Sequence, residues 1–195
     1  MFSSVISKVN SRLKFLYRYK QCLNQALRKQ LCTALVLCHI DYCNTAWFTN
    51  LTCFQKQKLQ VALNKVSRYI LDLSPRTHIG QSELNQIGLL NIMDRARFLR
   101  LNHVYKIKQG IAPVYLHDNF NSVNHNMETR SSKHDFFVPR VKGIASKIFF
   151  YNGIKDWNCL TDVIKSSKSL STFKYKAKEF LVKGALELEN SDYPF

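Results

Sequence analysis

The sequence predicts an all-α chain, a basic three-helix subdomain followed by a second, small helical subdomain, with at most one or two short strands. Three observations lead there. Glycine and proline number only 6 and 4 in 195 residues, too few for turn-rich β architectures or linkers. Hydrophobic residues reach 46% and aromatics 12%, which supports a packed core and excludes wholesale disorder. Along most of the chain the apolar positions recur at helical spacing.

Residues 2–20 read as an amphipathic helix, with Phe2, Val5, Val9, Leu13 and Leu16 on one stripe. On another face Lys8, Arg12, Phe15 and Tyr19 cluster, and cationic heads beside aromatic rings suit a surface that tracks a phosphate backbone and stacks on bases or sugars. The competing reading packs Phe15 and Tyr19 against a neighbouring element. A second helix is expected over 24–40, capped by Asn24. Residues 31–38 are apolar nearly all round, which predicts the buried centre of the subdomain. The pattern then breaks, with Asn44 as the expected turn residue. A third helix is expected over 53–71, its buried stripe formed by Leu59, Ala62, Leu63, Val66, Tyr69 and Ile70. Lys58, Lys65 and Arg68 line its edge, as a phosphate-facing ridge or as three solvated cations.

Pro75 biases Ser74 out of the helical region and ends that element. A short helix over 81–87 stops at Gly88, and Asn91 with Asp94 caps a helix over 92–109 that Gly110 closes. Ala112-Pro113 opens a short turn of helix to about Phe120. Residues 121–135 are the most polar stretch, an exposed connection, and 136–138 suit a short strand. Helices follow over 144–157 and 169–183, the last capped by Ser169, with Leu170, Phe173, Ala177, Phe180 and Leu181 inward and Lys174, Lys176 and Lys178 outward. The organisation expected is therefore a helical subdomain over 1–75, a helical continuation over 76–120, a connection over 121–140, a C-terminal helical segment over 141–187 and a frayed tail over 188–195, with the main division near 74–80.

The formal net charge is +16 and unevenly placed. Residues 1–80 carry 12 Lys+Arg against two acids, 136–183 carry 10 against three, and 81–135 are nearly balanced. Two basic blocks around a neutral middle point to a polyanionic partner, nucleic acid before an anionic membrane surface. The densest apolar run, residues 31–40, is about half the roughly 20 residues of a membrane span, and the N-terminus has no signal-peptide pattern. An intracellular chain, nuclear or cytoplasmic, with free thiols is the expectation.

Motifs for catalysis are missing. No Asp-Asp pair suits a two-metal site, and neither G-x-x-x-x-G-K nor G-x-G-x-x-G occurs. The six cysteines include no C-x-x-C, and the six histidines no zinc-like i, i+4 pair, so no metal and no cofactor are expected. Cys38, His39 and Cys43 lie close in sequence, but Cys38 and His39 are helical neighbours that do not face each other.

Six landmarks run in order along the chain. They are Leu35-Val36-Leu37-Cys38-His39-Ile40-Asp41-Tyr42-Cys43 with Trp47; Lys58-Leu59-Gln60 through Asn64 to Arg68; and Gly88-Leu89-Leu90 leading to Asp94-Arg95-Ala96-Arg97. Then come Tyr105-Lys106-Ile107 with Gly110-Ile111-Ala112-Pro113 and Tyr115-Leu116; Thr129-Arg130-Ser131; and Tyr151-Asn152-Gly153 with Trp157-Asn158, Leu160 and Phe173-Lys174. Together, over about residues 2–182, they resemble the C-terminal part of LINE-type, non-LTR retrotransposon reverse transcriptases of the jockey-like group. Leu90 stands where many relatives carry Trp, and Thr161 where Pro often follows Trp-Asn-x-Leu.

The resemblance implies a thumb in the opening third and a post-thumb region after it. It also implies that the polymerase aspartates belong to an upstream palm whose motif does not occur here, so the chain as it stands is expected to be non-catalytic. The implied partner is a template–primer duplex or RNA–DNA hybrid, read through shape and backbone, with Lys8, Arg12, Phe15, Tyr19, Lys58, Lys65 and Arg68 as contacts. A separate palm and fingers polypeptide is a further candidate partner. The alternative is a domesticated or remnant protein-interaction module without specific nucleic-acid binding.

Overall fold

The computed structural model describes residues 2–120 and 135–190. Helix dominates them, and no strand forms among them; Phe136 alone makes an isolated bridge where a short strand was expected. The expected exposed connection at 121–134 and the last five residues lie outside the described residues. The chain divides into two compact units, one of Met1–Asn44, Leu51–Arg95 and Ala185–Phe195, the other of Thr45–Asn50 and Ala96–Gly184. Residues 74–80, the division expected from sequence, fall inside the first unit.

In the first unit, α1 (Phe2–Tyr17) buries Val5, Val9, Leu13 and Leu16, the stripe its periodicity predicts. After a 3-10 turn (Lys20–Cys22), Asn24 caps α2 (Gln25–Cys32) by accepting from the Leu27 amide at 2.9 Å. The helix continues through a π segment (Thr33–Leu37) into α3 (Cys38–Asp41). Here the expectation of an all-round buried centre is corrected. Cys32, Val36, Leu37 and Ile40 are buried, whereas Ala34, Leu35 and Cys38 face outward. The turn that follows is made by Cys43 at φ 49°, not by Asn44, which is buried with its Nδ2 donating to the Ile40 carbonyl and begins α4 (Asn44–Trp47).

A 3-10 turn (Phe48–Asn50) leads to α5 (Cys53–Leu71), opened by a reciprocal cap between Thr52 and Gln55 and closed by Asp72 in the left-handed region at φ 61°. All six predicted stripe residues of α5 are buried. Tyr69 fixes α5 to α1: its hydroxyl donates to the Leu16 carbonyl at 3.0 Å and its ring meets Tyr17 edge-on. Burial foremost raises the Tyr69 pKa, so the phenol stays a neutral donor.

The stretch after Pro75 joins this unit through α5. Arg68 Nε donates to the Thr77 carbonyl at 2.7 Å, and Gln60 Oε1 accepts from the Ile92 amide at 2.9 Å. That second bond caps α7 (Ile92–Lys108), which follows the short α6 (Gln81–Gln86) and Gly88 at φ 63°. Asn91 and Asp94 make the predicted reciprocal cap on α7. Arg95 forks onto Asp41, with both N–O distances 2.6 Å.

In the second unit, a 3-10 segment (Val114–Asn119) follows α7, and another (Gly143–Lys147) precedes α8 (Phe149–Asn158), α9 (Asp162–Lys165) and α10 (Leu170–Asn190). Its core is aromatic. Tyr105 and Trp157 stack on Phe173 with centroids at 4.4 and 5.7 Å. Asp156 receives Arg97 and Arg100, while Asp135 receives Lys108, Lys165 and the Trp157 indole. Ser169 caps α10, and Phe173, Ala177 and Leu181 point inward as predicted, with Leu170 and Phe180 half-buried. The helix runs to Asn190, into the stretch expected to fray.

Candidate nucleic-acid interface

The basic face of the first unit is built on α5. Phe54, Lys58, Val61 and Lys65 recur at i, i+4, i+7 and i+11, so they form one exposed stripe that flanks the buried stripe of α5. Phe54 is 62% exposed and Val61 53%, high values for apolar side chains on a helix that buries its other face well. Lys58 Nζ stands 4.4 Å from the centroid of the Phe54 ring, which holds the cation along the helix surface.

Across from this stripe, α1 contributes Ile6 and Asn10. Between the helices runs an open groove of about 400 Å³, lined from α5 by Phe54, Gln57, Val61 and Ala62 and by the cations Lys58 and Lys65. Tyr69 holds α1 against α5 at the far end through its bond to Leu16, and so sets the groove.

Among the described residues no carboxylate lines this groove. The four acids of residues 2–95 are all occupied elsewhere. Asp41 is held by Arg95, Asp72 by Lys20 and Arg28, Glu83 caps the Gly80 amide, and Asp94 caps α7. Hydrogen bonding from Lys20 is the first cause that lowers the Asp72 pKa, and backbone hydrogen bonds lower that of Glu83, so both stay ionised and engaged. Among the described residues, the groove therefore presents positive charge with no acid beside it, next to apolar side chains.

The seven residues singled out from sequence fall into three groups. Lys58 and Lys65 sit on the groove. Lys8, Arg12 and Phe15 are exposed on α1, but at about 100° per residue they flank its buried stripe on the side roughly 170° from Ile6 and Asn10. Tyr19 stays with them, its ring 5.4 Å from that of Phe15. The α1 cluster and the groove are thus separate surfaces. Arg68 is half-buried and bound to the Thr77 carbonyl, which makes it a tether for the loop after α5. Sequence reasoning missed Phe54, Val61, Ile6 and Asn10. The 54–58–61–65 spacing was there to be read, but the α1 wall depends on a contact between residues 53 positions apart.

The cysteines offer little chemistry. Cys32 is buried, and burial pushes its thiol up to about 12; Cys22, Cys38, Cys43, Cys53 and Cys159 are exposed free thiols. Among the described residues no group of three His, Cys, Asp or Glu is placed to hold a metal ion, and no helix is long and apolar enough to cross a membrane. By fold the chain is an all-α protein of two helical units. Comparison with protein-family models, curated proteins and solved structures finds no match.

Proposed function

We propose that the first unit grips a nucleic-acid duplex, preferentially an RNA–DNA hybrid, as a non-catalytic thumb-like element of the reverse-transcriptase kind that the sequence landmarks resemble. One observation carries this reading, the lysine-lined groove between α1 and α5 with no acid among the described residues that line it. Lys58 and Lys65 are seven residues apart, about 10 Å along the helix axis, which spans roughly three base steps of one strand. Two cations at that spacing suit phosphates about three steps apart on one strand, and the exposed apolar side chains of Phe54 and Val61 suit sugar faces. Such contacts are blind to sequence and sensitive to salt.

Fluorescence anisotropy with the full chain tests it, using an RNA–DNA hybrid, duplex DNA and single strands across a salt series. Lys58→Ala with Lys65→Ala should weaken hybrid binding by roughly tenfold and reduce the salt slope by about 2. Binding that is equal for all ligands and unmoved by the double variant overturns the proposal.

A second reading, docking of a separate polypeptide, is favoured by the outer face of residues 25–41. Leu27 and Leu35 are 44% and 39% exposed there, with Ala34 and Cys38 beside them at helical spacing. An apolar stripe on the solvent side of a helix is a surface for a partner.

A further inference from the structure

The second unit holds a different feature, a pocket of about 470 Å³ open to solvent on one side. Its back wall is α7, which presents His103, Lys106 and Ile107 at i, i+3 and i+4. Gly110 shapes the next wall. At φ 68° it ends α7 with the paired bonds of a Schellman turn, Gly110 N–H to the Ile107 carbonyl at 3.0 Å and Ile111 N–H to the Lys106 carbonyl at 2.9 Å. The chain folds back, and Ile111, Pro113 and Leu116 come to face the helix. Ala46 and Phe149 close the remaining sides, where the Thr49 hydroxyl donates to the Lys147 carbonyl and ties residues 45–50 to the approach to α8.

The chemistry of this lining is selective. Most of it is aliphatic or aromatic, and the polar groups are Thr45, His103 and Lys106. The His103 ring stands edge-on to Phe149, 6.1 Å between centroids at 87°. Lys106 is the only charged residue of the lining, is half-buried, and has no acidic partner among the described residues. A cationic ligand meets a like charge there that no acid among the described residues offsets. A neutral ligand leaves the ammonium without an anion, and a phosphate brings more charge and hydration than one lysine over apolar walls can replace. A single carboxylate on an apolar body matches both the walls and the charge, and the volume falls in the range of roughly 300–1,000 Å³ usual for small-molecule sites.

We propose that this pocket binds a small apolar carboxylate, its hydrophobic body between Ile107, Leu116 and Phe149 and its carboxylate at Lys106 and His103. The site is separate from the α1–α5 groove and does not depend on the nucleic-acid reading.

Isothermal titration of the full chain tests it with three probes of one shape, naphthalene-1-acetate, 2-(1-naphthyl)ethanol and 2-(1-naphthyl)ethylamine. The carboxylate should bind at least about tenfold more tightly than the alcohol, and the amine more weakly than either. Lys106→Met, a partly exposed position, should abolish the preference for carboxylate over alcohol while the alcohol still binds. Leu116→Trp should block both by filling the pocket, with circular dichroism confirming the fold. Lys58→Ala with Lys65→Ala should leave all three affinities unchanged. Equal affinity for carboxylate and alcohol, a preference that survives Lys106→Met, or no binding of any probe at millimolar concentration overturns the proposal.

Discussion

Lys58, Lys65 and Arg68 share one side of α5, yet their environments assign them opposite duties. The two lysines carry their charge into solvent, whereas the arginine spends its Nε on the Thr77 carbonyl. Arg68→Ala should therefore lower stability by about 1–2 kcal/mol, because a half-buried carbonyl loses its charged donor. Nucleic-acid affinity of the folded fraction should change little. Thermal melts and anisotropy on the same preparation separate the two effects; unchanged stability with a large loss of affinity would return Arg68 to the contact surface. Gly153 makes a second residue-scale case. A Cβ there would lie 2.9 Å from Val104 Cγ2, well inside van der Waals contact, so α8 approaches α7 only because the side chain is absent. Gly153→Ala should cost about 1–3 kcal/mol by overpacking. Adding Val104→Ala should recover part of that loss in a melting experiment, which a purely backbone effect of the alanine would not allow.

At the scale of elements, helical boundaries were legible because local chemistry sets them. Asn24, the Asn91–Asp94 pair, Gly88, Gly110 and Ser169 act where a cap or stop is chemically demanded. The α5 stripe was legible because one face of a long amphipathic helix is defined by period alone. Residues 31–38 were not, since a run apolar on every side says nothing about which side meets the core. The π segment resets the register in the middle of that run, and Leu35 ends outside while Val36 and Leu37 go in. The groove was only half legible: its α5 side follows from spacing, its α1 side from a long-range contact. The outer face of residues 25–41 yields a further prediction. Leu27→Glu with Leu35→Glu should lower stability by no more than about 0.5 kcal/mol in denaturant titrations, as for exposed sites. A large loss of stability would mean that these side chains pack within the unit.

For the molecule as a whole, among the described residues, acids such as Asp41, Asp72, Asp135 and Asp156 serve as fasteners for two or more elements. In the second unit this ties stability to pH through two groups with separate windows. Burial would raise the Asp135 pKa, but hydrogen bonds from Lys108 and the Trp157 indole, with the charges of Lys108 and Lys165, outweigh it and hold the carboxyl below its ordinary value. A carboxyl depressed in the folded state contributes stability that is present above its unfolded value, about 3.9, and lost as pH falls through the folded one. His103 is lowered as well, first by partial desolvation, its ring standing edge-on to Phe149, and second by the charge of Lys106. The unfolded chain then takes up a proton on this histidine earlier, near pH 6.5, so its contribution is lost from there downward. Acid should thus weaken the second unit in two steps. His103→Gln should flatten the loss that begins near pH 6.5 and leave the later step intact. Asp135→Asn should remove the later step, and at pH 7 it should cost about 3 kcal/mol because Lys165, its side chain 5% exposed, is left with only the exposed Asp162 at 3.8 Å. Denaturant titrations of the three proteins from pH 8 to pH 3 decide the matter. A His103→Gln curve parallel to that of the unsubstituted chain would show that the upper window belongs to another group.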